Sequence, residues 1–277
     1  MGDFLAQVQK QVVIFDGAMG TMLQAEGLSP GECAELWNVE RPGIVQKIHR
    51  AYFEAGAQVV ETNTFGANSI KLAAFGLESR THELNYRGGR LAKELAPPGG
   101  LVAGSVSPTG KFLWPLGDLS FPQLAEIYKE QIAALAEGGA DLICIETMSD
   151  MEETAAAIQA ARAVCSLPVI ATMTFSLDAV GFRTIMGISP EIAAIRLKRE
   201  GVDIIGSNCG QGMDEMILLM KQMRSLTPLP LIAQPNAGLP QLSEGAVTYP
   251  QSPEDFAQKV PELLQTGVNV IGGCCGT

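Results

Sequence analysis

Positive charge is scarce in this chain of 277 residues: 19 lysines and arginines stand against 30 aspartates and glutamates, a net charge of −11. Nonspecific binding to a phosphate backbone needs a basic surface, so nucleic acid is excluded as a partner. Long apolar runs are missing as well. No segment reaches the roughly 20 uninterrupted apolar residues of a membrane span. Residues 1–10 are polar and mixed in charge, without the basic start, apolar middle and small-residue cleavage site of a secretory signal. No low-complexity stretch or change of composition marks a linker, so residues 1–277 are expected to form one domain. The six cysteines do not read as a disulfide framework in a chain of this size, which points to a reducing, cytoplasmic setting.

What is present is a repeated alternation. Short apolar runs at 12–15, 59–61, 101–103, 142–145, 169–172, 204–205, 231–233 and 268–271 read as eight strands. Between them, helix-like stretches cover 42–55, 83–95, 122–137, 152–164, 190–200, 214–224 and 253–264. Several open on proline or an acidic residue and stop before Gly56, Gly138, Gly201 or Gly267. Strand and helix in alternation imply parallel strands with right-handed crossovers, and eight of them imply closure. The expected class is therefore α/β, a (β/α)8 TIM barrel. An open doubly wound sheet is the alternative, but its Gly-x-Gly-x-x-Gly turn is absent after the first strand, where Asp16-Gly17-Ala18-Met19-Gly20-Thr21 stands instead. The barrel is expected to lack its final helix, because the sequence stops two residues after Cys275; a trimmed fragment and a covering element or subunit are the two explanations.

In such a barrel the chemistry sits at the C-terminal ends of the strands. Cys209 falls at the end of the sixth predicted strand, and Cys274 and Cys275 follow the eighth, flanked by Gly272, Gly273 and Gly276. Adjacent cysteines do not easily form a relaxed disulfide, whereas three thiolates suit zinc and leave a fourth position for water or substrate. Asp16 and Glu146 stand at the ends of the first and fourth strands. They serve either as caps of the helices that follow or as partners of an ammonium group. The turn at Ala18 and Met19 offers backbone N–H groups to a carboxylate. Taken together these describe a site for an α-amino acid. Cys33, Cys144 and Cys165 read as packing residues. His49 and His82 lie in helical stretches away from the strand ends and are expected on the surface.

The motifs Asp16-Gly17-Ala18-Met19-Gly20-Thr21, Glu61-Thr62-Asn63-Thr64-Phe65, Glu146-Thr147, Asn208-Cys209 and Gly272-Gly273-Cys274-Cys275-Gly276 resemble those of the homocysteine S-methyltransferases. Within that family they are most similar to the N-terminal homocysteine-binding domain of the cobalamin-dependent methionine synthases. The resemblance implies that Cys209, Cys274 and Cys275 hold Zn2+ and that the homocysteine sulfur takes the open position. It also implies that Asp16 and Glu146 bind the amino group, and Ala18 and Met19 the carboxylate. Thr147 and Asn208 belong to the same expected substrate site. Asn236 is expected to fill the fourth zinc position when substrate is absent, against the alternative of a simple turn residue, and Asn208 to hydrogen-bond a zinc-bound sulfur. The implied methyl donor is methylcobalamin or a methylated corrinoid protein, supplied by a separate module. S-methylmethionine or betaine is the alternative donor, and a non-catalytic zinc or amino-acid binding module, or a redox sensor, the alternative role.

Overall fold

The computed structural model describes residues 4–210, 212–243 and 246–277. Its strands are β1 (Val13–Ile14), β2 (Val59–Glu61), β3 (Leu101–Val106), β4 (Leu142–Met148), β5 (Val169–Met173), β6 (Ser176–Asp178), β7 (Gly181–Arg183), β8 (Ile204–Cys209), β9 (Leu231–Pro235), β10 (Gln241–Ser243), β11 (Ala246–Thr248) and β12 (Val270–Ile271). The α-helices are α1 (Phe4–Lys10), α2 (Met19–Ala25), α3 (Trp37–Glu40), α4 (Pro42–Glu54), α5 (Ser69–Ala73), α6 (Thr81–Lys93), α7 (Phe121–Glu137), α8 (Met151–Val164), α9 (Pro190–Glu200), α10 (Met213–Leu226) and α11 (Pro253–Gln265).

Eight strands form one parallel sheet in the order β1-β12-β9-β8-β5-β4-β3-β2. Its edges meet through a parallel bridge between Phe15 and Val59, with Gln58 N–H donating to the Ile14 carbonyl at 2.7 Å and Asp16 N–H to that of Val59 at 3.0 Å. The sheet is thus a closed (β/α)8 barrel, as the alternation predicts. Strands covered on both faces need apolar residues at every position, and β5 is buried throughout. That is why these strands stand out in the sequence as continuous runs. The helix starts are equally well marked: Ser120, Ser189 and Ser252 cap α7, α9 and α11 with proline in the first turn, and Asp150 caps α8. Each cap satisfies an otherwise orphan N–H and stabilises its helix by about 1 kcal/mol.

The lower rim is closed by a repeated device. A side chain just before one strand accepts an N–H from the first two residues of the neighbouring strand: Gln58 for Ile14, Asp141 for Val102, Asp203 for Val169 and Asn269 for Leu231, at 2.8–3.0 Å. Below them α1 plugs the barrel, with Phe4 and Val8 packed against Val13, Leu142, Ile170, Ile204 and Ile232. Two apolar residues four apart are too weak a period to reveal this helix in a segment that reads as polar. The antiparallel hairpins β6-β7 and β10-β11 were likewise not expected from the sequence.

One expectation is corrected. His49 is fully buried, because it shares the inner stripe of α4 with Val45 and Ile48. Neither ring nitrogen has a hydrogen-bond partner among the described residues, and burial brings its pKa down to about 4. His82 is exposed and lies 2.9 Å from Glu137. Outside β1 and β12, an apolar cavity of about 260 Å³ is lined by Ile14, Tyr52, Phe256, Val260 and Leu263. Ile14 is 45% exposed there.

Candidate active site

At the upper rim, the end of β8 and the turn after β12 bring three thiols together. The sulfur of Cys209 lies 3.5 Å from that of Cys274 and 3.9 Å from that of Cys275, and the latter two are 4.0 Å apart. A disulfide needs about 2.05 Å. With zinc–sulfur bonds of about 2.3 Å, the corners of a tetrahedron stand about 3.8 Å apart. The three sulfurs therefore have the spacing of a tetrahedral thiolate site, and they are the one such group of potential ligands among the described residues. Hydrogen bonds from the Cys209 and Cys274 thiols, with a further one from the Tyr249 hydroxyl, bring the Cys275 thiol down to about 3. Cys209 and Cys274 are raised in turn, so Cys275 is the first of the three to ionise to the thiolate, the form that binds metal.

The backbone is bent to achieve this. Cys209 has φ 63° and Thr147 φ 60°, the only non-glycine residues with positive φ among the described residues. Such conformations cost energy and collect at functional sites. Gly276, at φ 84°, leaves room for the Tyr249 ring where any side chain would collide. At Thr147 the pairing of β4 with β5 slips between Ile145 and Met148, a bulge that re-aims the strand end.

Asn208 joins the parts. Its amide nitrogen lies 2.7 Å from the Thr147 hydroxyl, 3.3 Å from Glu146 Oε2 and 3.8 Å from the Cys274 sulfur. Its oxygen accepts Thr147 N–H and the Thr172 hydroxyl, both at 2.7 Å. Asn236 spans the two thiol-bearing segments, donating to the Gly210 carbonyl at 2.8 Å and accepting Cys275 N–H at 3.0 Å. Its oxygen is thus already engaged once.

Three carboxyl groups stand beside the thiols, those of Asp16 and Glu146 buried and that of Glu61 half-buried. Glu146 accepts the Ser105 hydroxyl at 2.6 Å, Asp16 accepts the backbone N–H of Glu61 at 2.9 Å, and Glu61 accepts the Gln234 amide at 3.2 Å. Burial first, then mutual repulsion, raises Asp16 and Glu146 well above the usual carboxylate range, and burial raises Glu61. None of the three has an ion-pair partner among the described residues. Neither Asp16 nor Glu146 caps a helix: the N-cap of α2 is Ala18, without a side-chain acceptor, and Asp150 caps α8.

An inner cavity of about 260 Å³ opens above, with Ala18, Met19, Glu61, Glu146, Thr147 and all three thiols on its wall. Asp16 is not on that wall; it is 3% exposed and its Oδ1 lacks a partner among the described residues. Glu61 is a wall carboxylate to which the sequence assigned no role. Its position at the end of β2, level with Asp16 and Glu146, was the available signal. Gly17 and Gly273 line both the inner and the outer cavity.

The homocysteine S-methyltransferase family model matches residues 13–277, so this chain belongs to the homocysteine S-methyltransferase family. It is 33% identical over 293 aligned residues to methionine synthases of Mycobacterium tuberculosis (strain ATCC 25618 / H37Rv) and Mycobacterium leprae (strain TN). Those alignments cover 99% of this chain and 24% of each relative, so the chain spans about a quarter of their length. Among solved structures it resembles the homocysteine methyltransferase MmuM from Escherichia coli in its metallated form, with a TM-score of 0.80 and 26% identity over 98% of this chain and 94% of that one. The oxidised form gives 0.78 and 27% over the same shares. The carboxyl transferase domain of Rhizobium etli pyruvate carboxylase, with 16% identity and a TM-score of 0.56 over 98% of this chain and 41% of that one, shares the fold alone. No described helix is long and apolar enough to cross a membrane.

Proposed function

We propose that the whole chain is one homocysteine-binding barrel that holds Zn2+ through Cys209, Cys274 and Cys275 and methylates homocysteine to methionine, with a methylcorrinoid as donor. The observation that carries this is the convergence of three thiols at tetrahedral spacing with buried carboxylates that have no cationic partner. One group of ligands suits a soft-leaning metal and the other an ammonium; homocysteine supplies a thiol and an ammonium on one short chain. Bound zinc would supply the acidity that keeps the substrate sulfur a thiolate near neutral pH.

The remaining work belongs to the chain's own residues. Glu146 and Asp16 hold the amino group, and the first-turn N–H groups after Ala18, at Met19, take the carboxylate, so the sulfur is directed toward the thiol cluster. Asn208 keeps Glu146 and Cys274 in register, and Thr147 fixes the bulge that presents Glu146. Asn236 orients Cys275, and its second lone pair would be available to a bound metal in the absence of substrate. The methylcorrinoid, borne by a corrinoid-binding module or protein, follows from the resemblance to methionine synthases, and the names of the Mycobacterium relatives agree with methionine as product. A cytoplasmic location accords with six free cysteines.

The test is methyl transfer from free methylcobalamin to homocysteine, before and after zinc is chelated and restored. Activity that disappears and returns with zinc supports the proposal; full activity in chelated protein overturns it. Parallel assays with S-methylmethionine and betaine identify the donor, and turnover with either of those alone removes the corrinoid assignment.

A further inference from the structure

We infer that Glu61 is the central anion of the amine pocket and sets the selectivity of this site for thiols that carry an ammonium group, an inference that rests on the proposed function above. Glu61 is joined to both flanks of the carboxyl cluster. Its backbone N–H donates to Asp16 Oδ2 at 2.9 Å, and its side chain accepts the Gln234 amide at 3.2 Å. The buried Cys144 thiol is a further hydrogen-bond partner of its carboxylate. It is also the carboxylate whose charge acts most strongly on both Asp16 and Glu146, which places it electrostatically between them.

Asp16 Oδ1 and Gln234 Oε1 are among the buried acceptors that lack partners among the described residues. Each belongs to a residue one hydrogen bond away from Glu61. Buried acceptors left unsatisfied are costly, and a primary ammonium brings three N–H donors together with the positive charge that a carboxyl cluster lacks. Glu61 lies on the wall of the inner cavity whereas Asp16 does not, so an ammonium entering from the cavity reaches Glu61 before Asp16. Burial raises the Glu61 carboxyl, the hydrogen bonds from Cys144 and Gln234 work against that rise, and an ammonium beside it would complete the shift to the charged form. The ligand class is thus a thiol with a primary amine, and Glu61 is the group that discriminates it from the same thiol without one.

The experiment measures dissociation constants of the zinc-loaded full chain for homocysteine and for 4-mercaptobutanoate, which keeps the thiol and carboxylate but lacks the amine. Glu61→Gln should reduce the wild-type preference for homocysteine by about ten- to a hundredfold, the range for a hydrogen bond to a charged group. Zinc content and 4-mercaptobutanoate affinity should stay unchanged. A variant that keeps the wild-type preference, or that weakens both thiols alike, overturns the role of Glu61 while leaving the proposed function in place. A wild-type protein without any preference for the amine overturns both. Should Glu61→Gln fail to fold, Gln234→Met removes the amide donor to Glu61 and keeps every carboxylate. A smaller fall in preference in the same direction is then expected, and none refutes the inference.

Discussion

The side-chain nitrogen of Asn208 lies 3.8 Å from the sulfur of Cys274, and the same amide reaches the Glu146 carboxylate. The thiol cluster and the carboxyl cluster are therefore coupled through one side chain. Asn208→Ala leaves Thr147 N–H without its acceptor in a part-buried position, a loss of about 1–3 kcal/mol. Melting temperature should fall, and zinc and homocysteine affinity should weaken together in titrations. A variant that loses only one of the two affinities contradicts the coupling.

Cys209→Ser, Cys274→Ser and Cys275→Ser should each lose zinc, since a neutral hydroxyl replaces a thiolate poorly at a soft-leaning site. Cys144→Ser should retain it, because that thiol is buried apart from the cluster and close to Glu61. Metal content by mass spectrometry of the native protein distinguishes these outcomes, and equal zinc in all four variants would falsify the ligand assignment.

Asp16→Asn should stabilise the substrate-free protein while weakening homocysteine binding. The folded pKa of Asp16 is raised, so its contribution to stability is present below the ordinary carboxylate range and is lost as pH rises through the folded value. An amide removes the repulsion with Glu61 and Glu146. Thermal denaturation at neutral pH should show a higher midpoint for the variant, and homocysteine should raise that midpoint less than in the parent protein.

His49 makes the fold sensitive to mild acid. Its pKa falls from about 6.5 to about 4 on burial, so the unfolded chain binds a proton that the folded chain refuses. Stability from this group is full above about 6.5 and declines as pH falls toward 4, by up to about 3 kcal/mol. Denaturant titrations at several pH values should show that decline, and His49→Phe should flatten it. An unchanged slope in the variant would place the acid sensitivity elsewhere.

Asn236→Ala should separate the two thiol-bearing segments more than it disturbs the barrel, because its hydrogen bonds go to Gly210 and Cys275 and to no core residue. Zinc should leave the variant faster in a chelator competition while the melting temperature changes little. A large drop in melting temperature with normal zinc release would make Asn236 a turn residue only.

The barrel was legible because its strands are buried on both faces and its helices announce their starts. Runs such as Leu142 to Ile145 and the Ser-Pro starts at Ser189 and Ser252 carry those signals within a few residues. The thiol site was legible because Cys274 and Cys275 are adjacent. Other features depend on pairings made far away in sequence. His49 reads as an ordinary polar helix residue until α4 is docked, and Glu61 gains its meaning only when β2 closes against β1. The bulge at Thr147 and the left-handed backbone at Cys209 have no local sequence marker, since neither residue is glycine.

Gly17 and Gly273 border the inner cavity on one side and the apolar outer cavity on the other. The Thr277 side chain packs tightly against both glycines, so a push from one compartment is passed to the other through close contacts. Occupancy of the site can accordingly be listened to from outside the barrel. A fluorine label on Phe256, which faces the outer compartment and touches none of the thiols or carboxylates discussed above, should change its resonance when homocysteine binds. The same coupling should run in reverse, so that filling the outer cavity, as by Val260→Phe, changes homocysteine affinity.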